Sequence, residues 1–513
     1  MLQNTLIGAG SLSIIALFNS CSAGSSGGND DLSRPNIIYI LADDLGYGEL
    51  GSYGQTRIET PHLDRLAADG MIFTDHYTGS PVCAPARCIL LTGLHTGRAQ
   101  VRSNDPMSER GDVQNYMAMF ENPLLEGNYP LKAGTTTIGT LLQSAGYKTA
   151  LVGKWGLGAP GTDGLPNKQG FDFFYGYICQ RQAHTFYPLH LYRNGSRVYL
   201  NNDTVPPHEW LPRDADPYDL SNYERYSLND YSPALMFEEI TQFVKENAHR
   251  PFFLYWADPI PHLPLQAPQR WVDHYVHKFG DEEPYTGTEG RGGYFPCRYP
   301  RATYAAMISY LDENIGKLIQ QLKDLDLYEN TLIIFSSDNG PIGPYTPWFE
   351  SAAPFRTGSG YNKGHLHEGG IRVPMIATWP SVIKPGSVTD HISAFYDVMP
   401  TINEITGINN PENISGTSFF PTLKGEKQDQ PEFLYWEFPA SGGQMAVRIG
   451  NLKALRKNMH QGNLQWELFD LDEDPEERND ISAIHPDIIN KVEAIVARER
   501  TPHERWRFNV LGE

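Results

Sequence analysis

Three places in this sequence bring together side chains able to bind a hard cation and to set a nucleophile beside it. Asp43 and Asp44 directly follow the apolar run 36–41, and Asp338 and Asn339 follow the run 332–335 and two serines. Their oxygen donors suit Ca²⁺ or Mg²⁺ rather than zinc. The third place is Cys83-Ala84-Pro85-Ala86-Arg87, a thiol with a guanidinium one helical turn further on. The planar Arg fork can hold carboxylates and a reacting group together. Another apolar run, 252–256, leads into Asp258 and His262. Taken singly, each feature has a plainer reading: turn or cap residues for the acidic pairs, a small buried hydrophobe for Cys83, a loop residue for His262. The coincidence of the two acidic pairs and of Asp258 with His262 at the ends of apolar runs is what singles those groups out.

Those runs read as strands buried on both faces of a parallel sheet. Thr60-Pro61 opens a helix, and further helices are expected at 86–91, at 137–145 with Gly146 as the stop, and at 235–246. A short strand is expected at 149–152. Over 302–323, Tyr304, Met307, Ile308, Leu311, Ile315, Leu318, Ile319 and Leu322 recur at three and four residues, the period of a helix with one apolar face. The alternation predicts an α/β chain with a mostly parallel central sheet, its polar groups gathered where strands end. Past about residue 400 the pattern changes to short strands (433–437, 445–449, 466–470) and a helix near 487–499. We expect a catalytic domain over 34–385 and a smaller C-terminal α+β domain over 386–513. The stretches 187–231 and 270–300 look like long insertions that shape access to substrate.

The chain has 513 residues, 40% of them hydrophobic and 20% charged, which is ordinary globular composition. Its formal charge of −20 disfavours nucleic acid as a partner, since phosphate backbones need a basic surface. The apolar segment 2–17 is too short for a confident membrane span and reads as a signal peptide, 1–21. Cys21 directly after it resembles a lipoprotein processing site, which implies export to the periplasm or outer membrane and a possible lipid anchor. The Ser/Gly-rich stretch 22–33 would be a flexible tether. Five cysteines are too few for a disulfide framework.

The string Pro81-Val82-Cys83-Ala84-Pro85-Ala86-Arg87, with Leu90-Leu91-Thr92-Gly93, resembles the first signature of the sulfatase family. Gly146-Tyr147-Lys148-Thr149 with Gly153-Lys154-Trp155 resembles the second. Similar matches are Asp43-Asp44-Leu45-Gly46, Thr60-Pro61-His62-Leu63-Asp64-Arg65, Pro261-His262 with Pro264, Ser337-Asp338-Asn339-Gly340, and Lys363 with Glu368-Gly369-Gly370. The resemblance covers about residues 35–480 and implies an alkaline-phosphatase-like large domain. It implies that a maturation enzyme oxidises Cys83 to the aldehyde formylglycine. The aldehyde hydrates, one hydroxyl attacks sulfur, and the second lets sulfate leave without a stable ester.

By the same resemblance, calcium is the ion. Asp43, Asp44, Asp338 and Asn339 would be its ligands, joined by residue 83. Lys154 and Lys363 would bind sulfate, Arg87 would hold the hydrate, and His262 would protonate the leaving oxygen. One departure matters: the family has His two residues after the motif Lys, and this sequence has Gly156. It resembles in this a variant among bacterial polysaccharide-processing sulfatases. His184 is the candidate replacement. Arg181, His365 and His367 are candidate sugar contacts, and Arg356 a weaker one. The implied substrate is a sulfated carbohydrate, with galactose or N-acetylgalactosamine as the guess. Two alternatives stay open: a phosphoester hydrolase of the same superfamily, which would use zinc, and an inactive glycan-binding relative.

Overall fold

The computed structural model describes residues 34–287 and 294–513. The signal peptide, the Cys21 site and the tether lie outside the described residues. The strands are β1 (Asn36–Ala42), β2 (Met71–Phe73), β3 (His76–Tyr77), β4 (Lys148–Lys154), β5 (Phe173–Tyr177), β6 (His190–Arg193), β7 (Ser196–Tyr199), β8 (Phe252–Ala257), β9 (Thr331–Ser337), β10 (Met375–Thr378), β11 (Ser387–Thr389), β12 (Ser393–Ala394), β13 (Leu434–Phe438), β14 (Gln444–Ile449), β15 (Leu452–Arg456) and β16 (Glu467–Asp470). Ten of them form one sheet in the order β11-β2-β10-β9-β1-β8-β4-β5-β6-β7. Its middle, β9-β1-β8-β4-β5, is parallel throughout. Antiparallel strands flank it on both sides. The expected α/β fold with a mostly parallel central sheet is what forms.

β1 shows why its sequence is apolar without alternation. Ile37, Tyr39 and Leu41 enter one core, and Ile38, Ile40 and Ala42 enter another on the opposite face. Successive side chains point to opposite faces, and both faces are covered. The first core is covered by the helix Cys83–Thr92, which ends at Gly93 in the left-handed region, φ +66. The second is covered by the long helix Pro300–Asp324, whose repeating apolar positions pack with β1 and β9.

Several boundaries differ from expectation. The helix after the cysteine motif starts at Cys83 itself, three residues before 86. β4 extends to Lys154. The stretch 270–300 is not all loop, because Gln269–Phe279 is a helix that packs on Pro300–Asp324. In 187–231, Asn194-Gly195 makes a tight hairpin between β6 and β7, both residues at positive φ. The large sheet also passes the expected boundary at 385, since β11 pairs along β2. The separate small sheet, β13-β14-β15-β16, is antiparallel and begins only at Leu434. The helix Pro486–Glu499 packs on it.

Candidate active site

Four neighbouring parallel strands end at one edge, and each delivers a polar group there. β9 is followed by Asp338 and Asn339, β1 by Asp43 and Asp44, β8 by Asp258 and His262, and β4 ends in Lys154. The turn after β1 is held in a sparsely populated conformation, with Asp44 at φ +67. Such backbone costs about 1–2 kcal/mol. It is fixed by Asp44 N–H donating to Asp338 Oδ1 at 3.1 Å and Leu45 N–H to Ser337 Oγ at 2.9 Å.

Cys83 sits at the first turn of its helix, 1% exposed. Its Sγ donates to Asp43 Oδ1 at 3.3 Å, and Lys363 Nζ and Lys154 Nζ donate to it at 3.4 and 3.5 Å. Arg87, fully buried, donates to Asp338 Oδ2 from Nε at 3.1 Å and Nη2 at 2.8 Å, and to the Lys154 carbonyl from Nη1 at 2.5 Å. Lys154 also pairs with Asp43, and Lys363 bridges both Asp44 oxygens at 2.6 and 2.7 Å. His262 donates from Nδ1 to the Leu263 carbonyl at 2.5 Å, and its Nε2 faces Asp44 Oδ2 at 3.5 Å. Donor atoms of Asp43, Asp44, Cys83 and His262 all lie within 4.8 Å of one another. The sequence motifs thus converge on one point.

The electrostatics set the protonation states. Burial pushes Asp43 up, but the charges of Lys154, Arg87 and Lys363 outweigh it and hold that carboxyl well below its ordinary range. Burial raises Asp44 against the pull of Lys363. Burial, then the Asp43 charge, lifts Asp338 to about 7. Burial, with Asp338 and Asp43, pushes the Cys83 thiol far above its ordinary range. A plain thiol here stays protonated at neutral pH and is a poor nucleophile. Burial and the two lysines hold His262 well below its usual value, so the ring rests neutral.

These residues fit a hard divalent cation. Three carboxylates face three fixed cations, Arg87, Lys154 and Lys363. Asn339 Oδ1 is buried with no hydrogen-bond partner among the described residues, while its Nδ2 donates to Asp44 Oδ1 and the Gly340 carbonyl. An unsatisfied amide oxygen beside carboxylates is a ligand set for calcium or magnesium. Two further positive charges would leave the site net positive, suited to a monoanionic ester.

The weaker candidates separate. His184 joins the site: its ring stacks on His262, centroids 5.4 Å apart and 18° from parallel, and its Nδ1 meets His208 Nε2 at 3.3 Å. Tyr294 sets its edge against His184, and its ring also meets His208 and His262. Arg181 turns elsewhere, its Nη2 on the Leu125 and Gly127 carbonyls, both 3.4 Å. Arg356 lies over the Tyr361 ring, 3.6 Å from its centroid. His367 packs on Tyr361, and neither it nor His365 has a hydrogen bond or ion pair to Cys83 or its carboxylates among the described residues. His208 and Tyr294 carried no motif. They reach the site only because the two insertions fold over it. Gly156 adopts φ +80, and a Cβ there would lie 2.4 Å from Gln180 Nε2. Gln180 therefore fills the space where a side chain at 156 would start.

Comparison with known proteins gives this site its family. A model of the Sulfatase family matches residues 35–408, and one described as N-sulphoglucosamine sulphohydrolase, C-terminal, matches 359–500. Human N-acetylgalactosamine-6-sulfatase is 32% identical over 429 residues, 82% of this chain and 71% of that protein. Human arylsulfatase A is 32% identical over 434 residues, 82% of this chain and 74% of that one. The solved structure of Ps i-CgsB in complex with k-i-k-neocarrahexaose is similar at a TM-score of 0.70 and 27% identity, covering 93% of this chain and 95% of that one. With carboxylates and lysines closing around Cys83 at the sheet edge, the chain belongs to the sulfatase family and is a sulfuric ester hydrolase.

Proposed function

We propose that this chain is an exported, calcium-dependent glycan sulfatase whose nucleophile is formylglycine made from Cys83 by a maturation enzyme. The observation that carries this is the closure of Asp43, Lys154 and Lys363 around a Cys83 thiol that burial keeps protonated. Support for a glycan substrate comes from the N-acetylgalactosamine in the human relative's name and the hexaose bound to Ps i-CgsB. A sulfated galactose or N-acetylgalactosamine is our preferred substrate. Export, with lipid attachment at Cys21, rests on the apolar segment 2–17.

Asp43, Asp44, Asp338 and Asn339 would hold calcium, which when bound polarises sulfate oxygens and favours a deprotonated hydroxyl. Formylglycine at 83 would supply a hydrated aldehyde with one hydroxyl for attack and another for release. Lys154 and Lys363 neutralise the sulfuryl oxygens as their charge grows in the transition state. Arg87 ties Asp338 to the end of β4 and fixes the cradle. His262 rests neutral, and a bound sulfate anion raises its affinity for a proton. It thereby becomes able to protonate the leaving alcohol only when substrate is present. His184 stacked on His262 holds that ring's plane.

The test is sulfate release from position-defined sulfated galactose and N-acetylgalactosamine by full-length protein co-expressed with a maturation enzyme. Wild type should turn over at least one of them, and Cys83→Ala none, with an unchanged fold. Normal turnover by Cys83→Ala would refute the proposal.

A further inference from the structure

The segment that carries Lys363 is held from outside the large sheet. Gln444 opens β14 of the small sheet and is 1% exposed. Its Oε1 accepts the Leu366 N–H at 3.0 Å, and its Nε2 donates to the Gly364 carbonyl at 3.0 Å. The N–H of the same Gly364 donates to the Pro81 carbonyl at 2.8 Å, two residues before Cys83. Gly364 is at φ +84, so the chain bends sharply just after Lys363. One buried amide thus grips the bend at two points, and the bend is tied to the turn that presents the nucleophile.

A second fastening lies further on. Lys453 of β15 pairs with Glu368 at 2.8 Å and with Glu477 at 2.9 Å, and the Glu368 N–H donates to Glu477 at 2.7 Å. This sets where the segment ends, while the bend at 364 is held by Gln444 together with backbone bonds from Gly364 N–H to the Pro81 carbonyl and from Lys363 N–H to the Pro341 carbonyl, at 2.8 and 3.4 Å. A lysine ammonium is a point charge on a flexible four-carbon stem, so its location depends on where its backbone is anchored.

We propose that Gln444 is a positioning residue for the sulfate site: through its two hydrogen bonds the small sheet sets the place from which Lys363 reaches Asp44 and residue 83. The proposal rests on the reading of Lys363 as a sulfate-binding group. This geometry makes one prediction that simple structural support does not. If Gln444 acts through Lys363, its removal should matter only while Lys363 is present.

The experiment measures binding of inorganic sulfate by calorimetry to the full chain with calcium, for wild type, K363A, Q444A and the double variant. K363A should weaken sulfate about tenfold or more, the effect of losing a charged hydrogen bond. Q444A should weaken it about threefold to tenfold, and the double variant should match K363A within about twofold. Q444E keeps the acceptor for Leu366 but has no donor for Gly364, and should fall between wild type and Q444A even if Q444A folds poorly. Sulfate affinity of Q444A and Q444E within twofold of wild type would overturn the proposal. So would a double variant whose loss is the product of the single losses. A wild type that binds no sulfate overturns the reading of Lys363 as a sulfate-binding group, and this proposal with it, whereas normal wild-type binding with unaffected Gln444 variants overturns this proposal alone.

Discussion

Arg87 allows charge and geometry to be tested apart. It is fully buried and makes three hydrogen bonds, two to Asp338 and one to the Lys154 carbonyl. Arg87→Lys keeps the charge but offers a single ammonium, so about two of those bonds are lost. Bonds to charged groups contribute about 1.5–3 kcal/mol each, giving about 3–6 kcal/mol. Felt in the transition state, that slows kcat/KM about 10²-fold to 10⁴-fold. Arg87→Met removes the charge and leaves the Asp338 carboxylate without its nearest countercharge. Breaking such a buried pair costs about 3–5 kcal/mol of stability. The unfolding entropy of a chain of 513 residues is about 1 kcal/mol per kelvin, so Tm should fall by about 3–5 °C. The assay pairs steady-state kinetics with thermal unfolding, and mass spectrometry checks that residue 83 is converted equally in each variant. Both variants should lose activity and several degrees of Tm, with the larger Tm loss in Arg87→Met, which also strands the Asp338 charge. If Arg87→Lys keeps kcat/KM within tenfold of wild type, the fork geometry has no part in the reaction. Equal Tm losses in the two variants would show the charge-balance argument to be wrong.

Other outcomes follow from the same geometry. Gly156→His should destabilise the chain by about 1–3 kcal/mol, because φ +80 disfavours a side chain and its Cβ meets Gln180. Gln180→Ala in that background should recover part of the loss in a urea titration. Chelation of calcium should lower Tm by about 3 °C from a state with the ion at a hundredfold excess over its Kd, and zinc should not restore it. His76 on β3 is buried, bonded to Ser393 Oγ at 2.9 Å through Nδ1, and burial holds it at about 3. The folded ring therefore stays neutral while the unfolded one takes a proton below about 6.5. Its contribution is present above that pH and lost as pH falls, by about 1.4 kcal/mol at pH 5.5. His76→Gln should remove this loss from the difference between urea unfolding at pH 7.5 and pH 5.5.

The central sheet was legible because its strands are buried on both faces, so β1, β8 and β9 had to be continuous apolar runs. The polar pairs after them were legible for the same reason: a parallel sheet brings its carboxyl ends to one edge. Arg181 was not, because a guanidinium in sequence does not reveal whether carbonyls such as those of Leu125 and Gly127 await it. His208 and Tyr294 sit in loops with no period to read, and only the folded chain brings them against His262. The helix at Gln269–Phe279 was hidden in a charged stretch whose buried face holds Val272 and Tyr275. β15 escaped because Lys453, buried between Glu368 and Glu477, reads from sequence as a solvated charge. Gln444 escaped likewise, since a glutamine in a strand carries no sign of the backbone it will clasp.

The seclusion of Cys83 fixes an order of events for the newly made chain. β1 is complete by residue 42, yet its neighbour β9 is not synthesised until residue 337, and only then do Asp338 and Asn339 arrive to wall in the thiol. If Cys83 is converted to formylglycine as proposed, the modifying enzyme would have to act before those two distant segments close over the thiol.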